Sequence, residues 1–100
     1  MKLYTLIPIG PENAISKPDL ASIVGVDERT LRRMVQSERR VGRIILTDCG
    51  SGGYFRPDCT RQTIRFIRSM RHRAAETNRI ADAVERAMLD EIGQSQIEGW

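Results

Sequence analysis

The 100-residue chain has little of the chemistry that metalloproteins and histidine-dependent enzymes use. It contains one histidine, His72, and two cysteines, Cys49 and Cys59, which share no spacing typical of metal ligands. His72 has arginines beside it and no acidic cluster around it. We therefore expect a surface residue there, with neither a metal site nor general-base chemistry.

Other catalytic patterns are also missing from the sequence. No pair of carboxylates is placed for acid–base chemistry, and no serine, histidine and aspartate set occurs. The glycine-rich residues 50–53 lack the lysine and the serine or threonine that end a phosphate-binding loop. The sequence thus predicts a binding protein rather than an enzyme, with no catalytic residue, no metal, no cofactor and no small-molecule substrate.

Long hydrophobic runs are absent as well. No run approaches the roughly 18 apolar residues of a membrane span, and the first residues lack the apolar region and cleavage site of a signal peptide. We expect a cytoplasmic protein that does not contact a membrane. In that reducing compartment Cys49 and Cys59 are predicted to be free thiols, because one lies at the tip of a predicted hairpin and the other beyond its return strand.

The net charge of +3 is small, but charge is unevenly distributed along the chain. Residues 28–43 carry six arginines against two glutamates, and residues 60–79 carry six arginines against one glutamate. Residues 80–100 carry five acidic residues against one arginine. Two basic blocks followed by an acidic segment suggest a polyanionic partner, although solvated helix faces give the same pattern.

The clearest local signal is the start and stop of a helix over residues 17–24. Ser16 is a good N-cap, Asp19 completes a capping box three residues later, and Gly25 offers the left-handed residue on which helices end. Upstream, residues 3–9 are apolar and fit either a short helix or an edge strand.

A second helix follows almost at once, capped by Asp27 and closed by Gly42. Together the two helices predict a helix-turn-helix, in which a small residue faces the second helix, a glycine makes the turn and apolar residues of both helices share one core. Ala21 is the small residue and Gly25 makes the turn. The shared apolar core is Leu20, Val24, Val26, Leu31 and Met34.

A β-hairpin and a long helix complete the predicted order. Residues 43–47 and 54–56 have strand composition, and residues 48–53 between them form a glycine-rich tip. Residues 58–92 contain no glycine or proline, which predicts one long helix. The predicted fold class is mainly α with a small β-hairpin, a winged helix-turn-helix plus a long C-terminal helix. The predicted domains are a winged helix-turn-helix over 1–58, a dimerisation helix over 59–92 and a flexible tail over 93–100.

Three runs of the sequence resemble a known group of protein domains. The runs ISKPDLASIVGVDERTLRR (15–33), GRIIL (42–46) and GGYF (52–55) are similar to the winged helix-turn-helix domains of small phage and prophage proteins. The resemblance covers about residues 1–75. It implies a DNA-binding fold and leaves open what the DNA binding accomplishes.

In a helix-turn-helix the second helix enters the major groove, here over about residues 27–41. The candidates for base contacts are Arg29, Arg32, Arg33 and Gln36. Arginine can bond guanine at two points and glutamine can bond adenine in the same way, which favours the last three. Arg29 can instead form an ion pair with Asp27, with Glu28 or with the next helix.

A further set of residues is predicted to contact the DNA backbone, which positions the protein without reading sequence. The set is Lys17, Arg40, Arg43, Ser51 and Gly52. The last two lie at the hairpin tip, whose peptide N–H groups can approach phosphate. Tyr54 packs on the domain or on DNA, and strand alternation places only one of Tyr54 and Phe55 in the core beside Ile45.

The long helix carries a seam of apolar and small residues at alternating spacings of three and four. The seam is Ile67, Met70, Ala74, Thr77, Ala81, Val84 and Met88. A helix of this length extends about 50 Å, more than a compact domain of this size covers, so the simplest partner is the same helix of a second chain. The alternative is that the helix folds back on its own domain. Arg61, Arg65, Arg68 and His72 share another face, which either extends the phosphate-binding surface or is solvated.

These features predict a homodimer that binds double-stranded DNA in a sequence-specific manner, as a phage- or prophage-type transcriptional regulator or accessory factor. The alternative is a protein-interaction or assembly module, such as a replisome-loading or DNA-packaging component, built from the winged helix and the helical stalk.

Overall fold

The structure, a computed structural model, describes residues 3–94 of the chain, with the backbone alone at residue 94. The predicted fold class is confirmed: the protein is mainly helical, with a two-stranded antiparallel hairpin and a long C-terminal helix. The elements are α1 (Leu3–Leu6), a 3₁₀ turn (Pro11–Asn13), α2 (Lys17–Val24), α3 (Glu28–Arg40), β1 (Leu46–Thr47), β2 (Tyr54–Phe55) and α4 (Thr60–Gln94). The chain divides into two compact units, Met1–Phe66 and Ile67–Trp100.

Helix α2 begins and ends as its sequence predicts. The Ser16 hydroxyl accepts the N–H of Asp19 at 3.2 Å. Gly25 has a φ of 84° at the other end, and its N–H donates to the Ala21 carbonyl at 2.8 Å. A side chain would be strained in that left-handed conformation, so glycine permits the short turn into α3.

Helix α3 has a carboxylate cap at its start. Asp27 Oδ1 accepts the N–H of Thr30 at 2.7 Å. This hydrogen bond, above all, lowers the pKa of Asp27 below its ordinary value. The chain leaves α3 through Gly42, whose φ is 95°.

The core of the first unit lies between α1, α2, α3 and the hairpin, and it contains the predicted helix-turn-helix residues. The buried cluster is Leu3, Ile7, Leu20, Ala21, Leu31, Val35, Ile45 and Tyr54, with Val24, Val26 and Met34 half-buried against it. Burying one large aliphatic side chain contributes about 1.5–3 kcal/mol. This packing holds α3 in place through Leu31 and Val35, which are 0% and 1% exposed.

The hairpin is shorter than predicted but is bonded on two sides. Its strands pair only Leu46 with Phe55 and Thr47 with Tyr54. Residues 43–45 do not continue β1, since the Arg43 N–H donates to Glu38 and the Ile45 carbonyl accepts from the Arg39 side chain. On the other edge of β2, the N–H groups of Ile15 and Tyr54 donate to each other's carbonyls at 2.9 and 2.8 Å.

Residues 3–9 combine the two alternatives that the sequence left open. The first four form α1, and Ile9 forms an isolated parallel bridge with Arg56. The Arg56 N–H donates to the Pro8 carbonyl at 2.7 Å, and the Gly10 N–H donates to the Arg56 carbonyl at 2.8 Å. The segment before α2 therefore extends the small sheet beyond the hairpin.

Tyr54 alone joins the core cluster that contains Ile45, as strand alternation predicts, whereas Phe55 is buried outside that cluster rather than exposed. Tyr54 is 3% exposed and Phe55 is 5% exposed. Alternation still separates them, because paired residues share a face: Tyr54 belongs to the face of Ile45, and Phe55 to the opposite face with Leu46. Leu46 is itself only 2% exposed, so this second face is also covered.

Helix α4 continues through Gly93 to Gln94, past the predicted end at Ile92. The predicted flexible tail, 93–100, is therefore helical at its first two positions. Residues 95–100 lie outside the described part of the chain.

Gly53→Ala should destabilise the first unit by about 1–3 kcal/mol, the usual cost of forcing extra volume into a packed site. An added Cβ would lie 2.7 Å from the Ile15 carbonyl oxygen, and the bridge between Ile15 and Tyr54 would have to shift. Gly50→Ala is the matched control, because its Cβ meets only the Asp48 carboxylate at 3.5 Å. Thermal unfolding of the two variants should show a clear loss for the first and less than about 0.5 kcal/mol for the second; equal losses would contradict the steric argument.

Candidate nucleic-acid interface

Helix α3 has one buried face and one arginine-rich face. Each residue turns the helix by about 100°. On that basis the polar set of α3 falls within an arc of about 100°, opposite the buried Leu31 and Val35. The set is Arg29, Arg32, Arg33, Gln36 and Arg40, and all five are exposed. We call this set the α3 face.

The side chains of the α3 face are free to bind a ligand. Within residues 3–94 none of them forms a hydrogen bond or an ion pair. In particular, Arg29 forms no ion pair with Asp27 or Glu28, which was its alternative role. Four cationic groups and one amide are therefore presented together on a helix that the core holds rigidly.

Of the remaining predicted phosphate contacts, Lys17 and Arg43 already have interactions. Lys17 is half-buried, and its Nζ lies 5.7 Å from the centre of the Tyr54 ring. Arg43 Nη1 lies 3.7 Å from Glu38 Oε2. A phosphate at Arg43 would exchange one anionic partner for another, whereas Arg40 has no partner to give up.

The hairpin tip is closed by its own hydrogen bonds. The Asp48 carboxylate accepts the N–H and the hydroxyl of Ser51 at 2.9 and 2.8 Å, and the Asp48 carbonyl accepts the Gly52 N–H at 2.8 Å. These bonds from Ser51 lower the pKa of Asp48. The carboxylate therefore stays ionised beside the tip. A phosphate contact through Ser51 and Gly52 would have to replace these bonds.

Two arginines that the sequence reasoning did not single out have structural roles. Arg39 donates from Nε to the Ile45 carbonyl at 2.8 Å and from Nη2 to the Thr47 hydroxyl at 3.2 Å. Its guanidinium also lies 5.9 Å from the Tyr54 ring centre and 5.0 Å from that of Phe66. Burial lowers the pKa of Arg39 and raises that of Tyr54. Arg39 thus ties α3 to the hairpin.

Arg56 has a similar role at the return strand. Its Nε donates to the Ile7 carbonyl at 2.7 Å, and its guanidinium lies 4.8 Å from the Tyr4 ring centre. For Arg39 a signal was present in the sequence, because it follows the buried Val35 by one helical turn. For Arg56 no local pattern gives the contact, since its acceptor is 49 positions away in the chain.

The seam of α4 is exposed at every position, as are Arg61, Arg65, Arg68 and His72. Its large members, Ile67, Met70, Val84 and Met88, are 40–64% exposed. The second unit therefore presents apolar side chains along its helix.

Cys49 and Cys59 are exposed free thiols. In the described part of the chain no three histidine, cysteine or acidic side chains cluster as metal ligands. Within residues 3–94 no helix combines the length and the apolar character needed to cross a membrane.

Comparison of the chain with known protein families, with curated proteins and with solved structures finds no match.

Proposed function

We propose that the protein binds double-stranded DNA in a sequence-specific manner, with α3 as the recognition helix of a winged helix-turn-helix. The observation that supports this most directly is the α3 face. Its four exposed arginines and one glutamine form no side-chain hydrogen bond or ion pair within residues 3–94, and the opposite face of the helix is buried. Arg39, which has a structural role, is hydrogen-bonded within the domain. A cluster of arginines on one helix face is the charge distribution expected of a surface that binds a polyanion.

The dimensions of α3 fit the groove. An α-helix with its side chains is about 10–12 Å across, and the major groove of B-DNA is about 12 Å wide. From Arg29 to Arg40 the helix rises about 16 Å. In this arrangement Arg32, Arg33 and Gln36 read base edges, and Arg40 lies where the helix meets the phosphate backbone.

The backbone contacts follow from which groups have partners. Within residues 3–94 Arg40 forms no ion pair, so it is the strongest candidate for a phosphate contact, while Arg29 stays in the set of base contacts. Lys17 would leave the Tyr54 ring, and Arg43 would exchange Glu38 for phosphate. Ser51 and Gly52 contribute only if the Asp48 bonds open. The proposal therefore places more of the binding energy on α3 than on the hairpin tip.

Binding without chemical conversion is the proposed activity. The proposed role is a transcriptional regulator or an accessory factor. It rests on the resemblance of residues 15–33, 42–46 and 52–55 to winged helix-turn-helix domains of small phage and prophage proteins, and no match in the comparisons adds to it. Such a role places the protein with DNA in the cytoplasm, where exposed thiols stay reduced.

The salt dependence of binding tests this proposal. Neutralising about five phosphates should give a slope of log K against log salt concentration near −4.5 on duplex DNA. The measurement is fluorescence anisotropy of a labelled random-sequence duplex between about 50 and 200 mM salt. No detectable binding at the lowest salt, or binding that salt does not weaken, would contradict the proposal and favour the protein-interaction module instead.

A further inference from the structure

The second unit presents a helix whose seam is open along its whole length. Residues 71–91 of α4 are all exposed, and every member of the seam is exposed. Ile80, Val84 and Leu89 are more than half exposed. An apolar stripe of this kind is costly to leave in water, since each square ångström of apolar surface contributes about 25 cal/mol on burial.

The seam follows the heptad pattern of paired helices. Ile67, Ala74, Ala81 and Met88 occupy the a positions, and Met70, Thr77 and Val84 occupy the d positions. The central positions are small, which permits two helix backbones to approach closely. The pattern by itself states neither the partner nor its direction.

The charge distribution on the same helix supplies the direction. Residues 60–79 carry six arginines against one glutamate, and residues 80–94 carry four acidic residues against one arginine. The helix is thus basic in its first half and acidic in its second. A parallel pair would place the two basic halves side by side, and the two acidic halves likewise. An antiparallel pair places the basic half of each helix beside the acidic half of the other.

We propose that α4 is the interface of a homodimer in which two copies of the helix pair antiparallel. The occupant of the seam is a second copy, because the seam continues across both halves and the charge of each half is complementary to the other half of the same sequence. This inference concerns α4 and does not depend on DNA binding.

One antiparallel register pairs the seam residues with each other and also places opposite charges beside each other. In antiparallel pairs each a position packs against a d position of the partner. The register that pairs Ala74 with Val84 and Thr77 with Ala81 also pairs Met70 with Met88. It places Arg71 and Glu85, both at flanking e positions, beside each other across the interface, twice by symmetry.

Arg71 and Glu85 are available for this contact. In the part of the chain that the structure describes, the ion pairs are Arg43 with Glu38 and Arg79 with Glu76, so neither residue has an ion-pair partner. In a parallel pair the same two side chains would be about 21 Å apart along the axis. The cross-helix pair thus exists in one orientation only.

Disulfide trapping in the full chain, without DNA and with Cys49 and Cys59 replaced by serine, tests the orientation. The double variant Ala74→Cys/Val84→Cys should form a covalent dimer under mild oxidation, because the two positions face each other in the antiparallel register. Each single variant should stay monomeric on a denaturing gel, since a position would be about 15 Å from its own copy. The control is His72→Cys/Arg86→Cys. These two positions are level with each other in the same antiparallel register, but they lie on the faces of the helices that point away from the interface, so they should not cross-link.

The possible results separate the occupants of the seam. Cross-linking of the single variants would show a parallel pair and overturn the proposal. A monomer in sedimentation at micromolar concentration, with no cross-link in any variant, would also overturn it and assign the seam to another partner.

A charge exchange provides a second measurement. Glu85→Arg should weaken the dimer roughly tenfold, because two favourable exposed pairs become repulsive. The double variant Arg71→Glu/Glu85→Arg should restore most of that loss, as measured by sedimentation equilibrium. Absence of recovery would contradict the register, since residues far apart in a parallel pair cannot rescue one another.

Discussion

Replacing Arg32 and Arg33 together with alanine should weaken binding to a preferred DNA site at least about 30-fold while leaving the fold intact. Both side chains are exposed, so the folded protein loses no hydrogen bond or ion pair within residues 3–94. Each arginine that bonds a guanine at two points contributes about 1–3 kcal/mol to discrimination. The loss should therefore be larger for the preferred site than for random DNA.

The preferred site is first selected from a random duplex pool with the parent protein, and both duplexes are then titrated with each variant. Arg73→Ala/Arg86→Ala is the charge-matched control, because it removes two arginines from exposed positions of α4 that form no ion pair within residues 3–94. That control should lose little affinity for the selected site. Amide hydrogen exchange at Leu31 and Val35 should match the parent in both variants, which shows that the core of the first unit is intact.

Two outcomes would count against the role of α3. If Arg32→Ala/Arg33→Ala binds random duplex as well as the parent, the α3 face is not the contact surface. If the charge-matched control loses as much affinity as the α3 variant, net charge alone accounts for the binding. In either case the antiparallel pairing of α4 would stand or fall separately, since its tests contain no DNA.

The order of the elements could be predicted because local chemistry sets it. Ser16, Asp27 and Gly25 act at the ends of helices, where caps and a left-handed residue leave a recognisable pattern. The long uninterrupted helix follows from the absence of glycine and proline over 58–92. The exposure of the α3 face could be predicted in the same way, from helical periodicity.

The rest depends on contacts between residues that are distant in sequence. No pattern along a two-residue strand shows that both of its faces are covered, so the burial of Phe55 could not be inferred. The hydrogen bonds between Asp48 and Ser51 at the hairpin tip could not be predicted, because glycine-rich tips with and without such bonds have the same composition. The bridge of Ile15 to Tyr54 joins segments that only the folded chain brings together.

Arg39 and Arg40 show most clearly that the sequence does not reveal which charged residues have contacts in the fold. They are neighbours of the same type in the same basic block, and charge counting treats them alike. A rotation of about 100° between them sends one toward the hairpin and leaves the other in solvent. The Arg39 side chain is half-buried and forms two hydrogen bonds, whereas the Arg40 side chain is exposed and forms none within residues 3–94.

Arg39→Ala should therefore cost about 2–4 kcal/mol of stability, because it removes two hydrogen bonds from a charged donor and leaves the Ile45 carbonyl without its partner. Losing the packing against Tyr54 and Phe66 adds to this cost. Arg40→Ala should change stability by less than about 0.5 kcal/mol and instead weaken DNA binding. Arg39→Lys should be intermediate, because lysine keeps the charge but not the planar fork that reaches two acceptors.

Amide hydrogen exchange at Leu31 and Val35 is the suitable measurement, since it reports on the core of the first unit, whereas a helix signal would be dominated by α4. For Arg39→Ala these amides should exchange faster by about 30-fold or more, and for Arg40→Ala at the rate of the parent. Equal protection in the two variants would mean that the Arg39 bonds do not hold α3 to the hairpin. The position of α3 would then depend on the buried Leu31 and Val35 alone.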